Sequence, residues 1–447
     1  MRGSAMISSK DVENIGESLS PIIFRAATRV IEKIAGHSLS LDSAFQETLA
    51  EFNLGFEAQR VVYLLSKRTL ENIGVPIYML KRNNRQDLPL RRKAAFYLAF
   101  YLTARMGIST GRIKAIRGGL LSDSLLSMLS PRSIDKALEE VKGQPLPLRL
   151  AHLESVPPLI VSSLLSRFDE KSVWRILRSL RQRHVWVRVN NFEMTNEIAE
   201  YLREKGVQVK PDKDFPFLLE ITDLTEAPLP RLPEGLAMYQ DKASVVAVEA
   251  FLSANPGAVI IDLAAAPCMK ASLICFRKKP EDLILIDISE KRTKACREIM
   301  SRAPCDHEVI NADGRLFSSP RAFGGAVVDA PCTNSGAISK DPGLRLTLWD
   351  LSKSDLERYK NVQSSLLSNA LSLVKPGAPV LYSTCSIFSE EGEEVLETIR
   401  INYHTRTPRL PAQLEKNIHE TCDGCYRLFP HIHRTDGFFF TVVSRDE

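Results

Sequence analysis

The sequence predicts an α/β protein, with a doubly wound, mostly parallel sheet in its second half. An all-helical region and a small α+β unit come before it. Three observations carry this reading. Between residues 20 and 145, apolar residues recur at three- and four-residue spacing with few alternating β-branched runs. Between 185 and 221, three short β-type runs surround one helical pattern. From about residue 229, short Val/Ile/Leu runs alternate with helical patterns, as a parallel sheet requires.

Taken in order, residues 1–20 read as an N-terminal tail without the apolar stretch of a secretory leader, and Met6 offers a second start. Helical spacing runs through 22–34, 58–73, 93–106 and 133–141, with Gly and Pro at the breaks, so 21–145 reads as one helical domain. Gln144-Pro-Leu-Pro147 reads as a linker. Residues 146–228 then give two more helices (158–168 and 169–181) and the α+β unit, with strands at 185–190, 207–210 and 217–221 and a helix at 196–205. Pro228-Leu-Pro-Arg-Leu-Pro233 reads as a second linker. Residues 229–447 form the last domain, with strands at 258–263, 283–288, 307–310, 325–329, 379–383 and 438–444. Its helices fall at 270–277, 290–301 and 354–373, and the strand at 438–444 reads as antiparallel at the sheet edge.

Composition bounds the function. At 447 residues, with 44% hydrophobic and 25% charged residues, the chain has globular usage and room for about three domains. It contains no run of 18 apolar residues, so no membrane span is expected. The net charge of +5 is unevenly placed, because residues 1–150 carry 22 Lys/Arg against 14 Asp/Glu. Within 81–117, ten basic residues face one acid, Asp87; such density suits a phosphate backbone, although a solvated helical face is the plainer explanation. All eight cysteines lie at or beyond Cys268, which argues against a secreted disulfide scaffold. The expectation is a reducing cytoplasm, with cysteines that are buried or chemically used.

In open α/β sheets ligands bind beyond the carboxyl ends of the strands. Asp262, Asp287, Asp313 and Asp329 all fall at or near such ends. Asp287 lies 25 residues past Asp262, roughly the offset at which a carboxylate grips ribose hydroxyls. The loop Ala264-Ala265-Ala266-Pro267-Cys268-Met269-Lys270 is small enough for close backbone approach and lacks G-x-G-x-x-G, which disfavours NAD and favours another nucleoside-type cofactor. Cys332 and Cys385 end two successive strands and open toward one crevice, where a thiolate would be a strong nucleophile. Cys422-Asp-Gly-Cys425 with His419, His431 and His433 lacks structural zinc spacing; these cysteines are expected in a loop, with no metal. Trp349 and Tyr359 are expected to pack on helices rather than to stack on bases.

Three segments carry a resemblance. Asp262-Leu-Ala-Ala-Ala-Pro-x-x-Lys270, Asp329-Ala-Pro-Cys332-x-x-x-Gly336 and Tyr382-Ser-Thr-Cys385-Ser386-Ile-Phe-x-Glu390-Glu391 resemble the motifs of Sun/Fmu-type ribosomal RNA cytosine-C5 methyltransferases. Arg188-Val-Asn190 resembles the family's lead into its small α+β unit, Gln240-Asp241 its approach to the catalytic domain, and Leu428-Phe-Pro-His431 followed by Thr435-Asp-Gly-Phe-Phe439 its closing hairpin, while 21–145 more loosely resembles its NusB-like helical RNA-binding domain. The resemblance implies a Rossmann-like methyltransferase sheet and S-adenosyl-L-methionine held by 264–270, Asp287, Asp313 and Asp329. It implies Cys385 as nucleophile, Cys332 as the group that assists product release, and Asp329 as a carboxyl close to the base. The implied partner is RNA, with a monomeric cytoplasmic protein. Three segments depart from the family pattern. Pro-Gly-Gly-Lys-Thr is Pro267-Cys268-Met269-Lys270-Ala271 here, Cys-Ser-Gly-Thr-Gly is Cys332-Thr-Asn-Ser-Gly336, and Glu-Glu-Asn is Glu390-Glu391-Gly392. The alternative is an RNA-binding ribosome-assembly factor with weakened catalysis.

Overall fold

The computed structural model describes residues 18–223 and 229–446. The tail up to residue 17 and the opening Pro228 of the second linker lie outside them. The chain divides into two compact units: residues up to Arg181 together with Ile338–Ser352, and Gln182–Ala337 together with Lys353 onward.

The first unit is helical. Helices at Pro21–His37, Phe56–Leu70, Leu90–Ala104 and Pro131–Lys142 answer the four periodic stretches. Ser40, Ser109, Ser122, Ser130 and Asp169 each cap a helix by accepting a backbone N–H, which satisfies one of the donors a helix start leaves open. Helix Pro21–His37 is central and buries Phe24, Val30, Ile31 and Ile34. The unit ends at Arg181, past the break expected after 145. The reason is local: Pro147 sits in the first turn of helix Leu146–Glu154, where proline is tolerated, so the prolines start a helix instead of opening a linker. The returning segment 338–352 joins this unit through Trp349, which is part of its core, and Arg345. Trp349 thus packs, as expected.

Among the described residues the second unit holds thirteen strands. β1 (Val185–Val189), β2 (Val209–Pro211), β3 (Leu218–Ile221) and β4 (Ala237–Tyr239) form an antiparallel sheet ordered β2-β3-β1-β4. β5 (Val259–Asp262), β6 (Asp282–Asp287), β7 (His307–Asn311), β8 (Gly325–Asp329) and β9 (Val380–Thr384) are parallel, ordered β9-β8-β5-β6-β7. β5, β6 and β8 carry continuous apolar runs because they are buried on both faces, and β9 is equally buried although it ends in Ser383 and Thr384. β10 (Thr405–Arg406) pairs with β13 (Phe438–Arg445), which lies antiparallel between β9 and β12 (Cys425–Leu428), with β11 (His419–Cys422) outermost. The late strand is antiparallel, as expected, but lies inside the sheet, and the further hairpin β11–β12 forms the edge. Four helices matter for the site: α1 (Lys242–Ser253), α2 (Met269–Lys278), α3 (Glu290–Met300) and α4 (Lys353–Leu373).

Strand order reverses between β5 and β8. That switch point leaves a crevice beyond the strand carboxyl ends.

Six of the eight cysteines are disulfide-bonded, as Cys268–Cys296, Cys275–Cys305 and Cys422–Cys425, with Cα separations of 5.2, 5.4 and 4.8 Å. This corrects the expectation of reduced cysteines, while Cys268, Cys275, Cys296 and Cys425 are buried and Cys422-Asp-Gly-Cys425 turns a hairpin. The first two pairs join α2 to α3 and to the approach to β7, and the third closes the β11–β12 hairpin. Only Cys332 and Cys385 are free.

Candidate active site

Register builds the site. β8 and β9 run parallel with Asp329 opposite Ser383, so the loops that follow leave the sheet side by side. Cys332 and Cys385 meet there with their sulfurs 3.2 Å apart. The Cys385 Sγ donates to Asn334 Oδ1 at 2.8 Å, and Cys332 points at the same oxygen from 3.7 Å. The hydrogen bond with Cys385 and burial push the Cys332 thiol well above its ordinary value. Cys332 therefore stays protonated at neutral pH. Gly336 lets the loops close: its N–H donates to the Cys385 carbonyl at 3.0 Å, and a Cβ there would lie 1.8 Å from the Gly437 carbonyl oxygen.

Beside the thiols, Lys270 Nζ binds Asp329 Oδ2 at 2.6 Å and lies over the Phe438 ring. Ser383 Oγ donates to Asp329 Oδ1 at 2.9 Å. Asp262 is 1% exposed and receives one N–H, from Ala264 at 3.3 Å. Burial, with the Asp329 charge adding to it, pushes its carboxyl up to about 8.

The loop 264–270 is held from below. Ala265 N–H donates to Ile286 of β6 and Ala266 N–H to Asp287 Oδ2. Cys268 takes φ +70°, the left-handed region where glycine is at ease, so the turn forms without either glycine of the resembled pattern. Its side chain turns away to Cys296, leaving only its backbone to the crevice. The Met269 carbonyl accepts from Arg188 and Gln240, and Arg188 also reaches Asn190 and Ser272. Two motifs far apart in the sequence, Arg188-Val-Asn190 and Gln240-Asp241, thus converge on the base of this loop. Burial pushes the Arg188 guanidinium down to about 9.

Asp287 also accepts from Ser289 N–H and from Arg292, whose side chain is half exposed. Asp313 is clasped by Arg315 through Nε and Nη2, which holds its carboxyl below the usual range. Asp313 is tied back in this way, while Asp329 and Lys270 stand with the thiols. Sequence reasoning missed Ile288 and Leu316, large apolar side chains that stand 61% and 81% exposed beside Asp287 and Asp313. An apolar residue at or within a turn of a strand-end acid, one position past Asp287 and three past Asp313, was the available signal. It also missed Asn334 and the buried Arg427, whose guanidinium holds Glu393 and the carbonyls of Ser386 and Phe388. His433 accepts the Phe429 N–H through Nδ1 and is pushed down to about 4 by burial, so it is a packed neutral histidine.

A switch-point crevice on a doubly wound sheet, with β13 antiparallel beside β9, defines a Rossmann-like methyltransferase fold. Solved structures share it. PH0851 superposes with a TM-score of 0.76 at 23% identity, over 96% of this chain and 99% of that one. NSun6 from Pyrococcus horikoshii gives 0.56 at 18%, over 66% and 100%. Residues 249–444 match the family described as 16S rRNA methyltransferase RsmB/F. A ribosomal RNA small subunit methyltransferase B from Photorhabdus laumondii is 26% identical over 268 residues, 58% of this chain and 59% of that protein. Its counterpart from Salmonella paratyphi A is 29% identical over 279 residues, 61% of this chain and 62% of the relative. A ribosomal RNA small subunit methyltransferase F from Escherichia coli O6:H1 is 32% identical over 221 residues, 48% of this chain and 46% of the relative. The chain therefore spans less than two thirds of the length of these relatives.

Proposed function

We propose that the protein methylates C5 of a cytosine in RNA, specifically in small-subunit ribosomal RNA, using S-adenosylmethionine. One observation carries this reading: two free thiols stand 3.2 Å apart in the loops that follow β8 and β9, and a lysine–aspartate pair closes the end of β8. The crevice suits the cofactor. A run of alanines permits close backbone approach, Asp287 stands at the ribose offset, and Ile288 and Leu316 offer apolar walls for a purine. Arg292 holds an oxygen of Asp287 through a half-exposed side chain that is free to turn outward. When bound, the cofactor supplies an electrophilic methyl group.

Cytosine C5 is a weak nucleophile. Addition of the Cys385 thiolate to C6 moves the ring electrons toward C5 and makes it enamine-like. Asp329 and Lys270 are placed to stabilise charge on the ring as it develops. After C5 is methylated its proton passes to solvent, and the electrons of that C–H bond reform the C5–C6 double bond as the C6–S bond breaks and the Cys385 sulfur leaves as a thiolate. Cys332, which stays protonated, is poised beside the departing sulfur to return a proton to it. A paired or stacked target base must be flipped out for C6 to reach Cys385. In the helical unit, Lys81, Arg85 and Arg92 are exposed and, among the described residues, carry no ion pair. They offer the RNA backbone a salt-sensitive contact, in keeping with a NusB-like role for this unit.

Calorimetry with S-adenosylmethionine, followed by transfer to small-subunit RNA, tests the reading. Micromolar binding (about −8 kcal/mol), no transfer by Cys385→Ala, and protein trapped covalently on RNA by Cys332→Ala support it. Turnover by Cys385→Ala overturns the nucleophile assignment. Absence of cofactor binding in folded protein, with RNA present, favours the assembly-factor reading.

A further inference from the structure

Glu390-Glu391 belongs to a motif for which the chemistry above found no use. The two residues differ sharply in surroundings. The Glu391 side chain is fully buried, and its carboxylate takes four hydrogen bonds from three segments. Oε1 accepts the Thr333 N–H at 2.9 Å and the Gln363 Nε2–H at 3.0 Å, the latter from α4. Oε2 accepts the Thr333 hydroxyl at 2.6 Å and the Ser386 hydroxyl at 2.5 Å. Thr333 follows Cys332 in the chain, and Ser386 follows Cys385. One carboxylate therefore binds the residue after each thiol.

A buried charge of this kind is costly unless fully hydrogen-bonded. Its four donors leave little lone-pair capacity spare, and it touches neither sulfur. Gln363 also donates to the Pro331 carbonyl, which extends the brace to the start of the Cys332 loop. The backbone carbonyl of Glu391 accepts from Tyr382 and Thr384 on β9, so the brace is anchored to the strand that delivers Cys385.

We propose that Glu391 is the positioning residue that sets the spacing of the two thiols, by binding the residue that follows each of them. This deepens the methyl-transfer reading, which it rests on for its purpose but not for its geometry. The Glu391 charge is one of the influences that raise the Cys332 thiol, after the Cys385 hydrogen bond and burial. The other titratable groups around the pair are Lys270 and Asp329, paired at the end of β8, Tyr359 on α4, Tyr382 on β9, and Arg427, which is engaged by Glu393. None of them bridges the two thiol loops among the described residues.

The test uses the full chain and three proteins: wild type, Glu391→Gln and Glu391→Ala. Iodoacetamide alkylation of Cys332 and Cys385 is followed across pH by peptide mass spectrometry, together with cofactor binding and the melting temperature. Glu391→Gln keeps the side-chain length, removes the charge and offers an amide where acceptors are needed. It should remain folded and bind the cofactor, yet alkylate Cys332 severalfold faster at pH 8, with the Cys332 profile displaced to lower pH. With RNA, kcat should fall far more than KM rises. Glu391→Ala should also lower the rate at which diazenedicarboxamide, taking up two electrons and two protons, oxidises the two thiols to a disulfide. Unchanged Cys332 alkylation in folded Glu391→Gln overturns the proposal. Because alkylation needs no RNA, absence of methyl transfer by wild-type protein, with the variants still showing these thiol changes, would overturn the methylation reading alone.

Discussion

Replacing Asp262 by Asn should stabilise the protein and do so increasingly with pH. The carboxyl is 1% exposed, has one weak backbone donor, and sits near the charges of Asp329 and Asp287, with Lys270 only partly offsetting them. Its folded value of about 8 lies above the unfolded aspartate value of about 4. A group raised in this direction holds its proton more tightly in the folded state. Its stabilising effect is complete below the unfolded value and disappears as pH rises through the folded one. Between pH 5 and 7 the wild type should lose about 1.4 kcal/mol per pH unit relative to the variant, reaching a deficit of about 4 kcal/mol at pH 7. The asparagine amide has nearly the same shape and carries no charge. Chemical denaturation of both proteins at pH 5, 6, 7 and 8 measures the difference. A stability gap that stays flat with pH, or a variant less stable than wild type at pH 7, would refute the reasoning.

Three further outcomes follow from the geometry. Arg345→Ala should cost about 3–5 kcal/mol in denaturation, since it strips a buried guanidinium from the carbonyls of Glu154, Ser155 and Leu180 and leaves them unpaired. Gly336→Ala should abolish transfer while leaving cofactor binding in calorimetry nearly intact, because the new methyl forces the thiol loops away from the Gly437 carbonyl. Replacing Lys81, Arg85 and Arg92 together by Gln should flatten the salt dependence of RNA affinity by a slope of about 2 to 3, measured by fluorescence anisotropy, without changing the melting temperature by more than about 2 °C.

The sheet was legible because buried parallel strands read as unbroken apolar runs. β5, β6, β8 and β9 all fall within a residue or so of where those runs lie. Helix α1 was not legible. Val245, Val246, Ala247 and Val248 are all buried in succession, so the segment is apolar on every side and shows no helical period. The β11–β12 hairpin was missed because β11 is a polar edge strand, although Asp423-Gly424, with Gly424 at φ +69°, was a turn signal in plain view. The strand-end thiols and carboxylates could be picked out from their position after each run, but not their partners. Nothing in the sequence says that Arg315 clasps Asp313 or that Glu391, rather than Glu390, goes inside. Nor does a separation of 28 or 30 residues identify Cys268–Cys296 and Cys275–Cys305 as pairs.

The chain leaves its helical unit at Arg181, comes back to it at Ile338 and departs again at Ser352. A fragment ended at Arg181 therefore lacks part of its own interior. The slot that Trp349 fills beside His152 would stand open, and three backbone carbonyls would lose the guanidinium that satisfies them. The two units are thus interlaced by sequence. Neither can be lifted out with one cut, and a graft of the helical unit onto another enzyme would have to carry a fifteen-residue loop from deep inside the other unit's sequence.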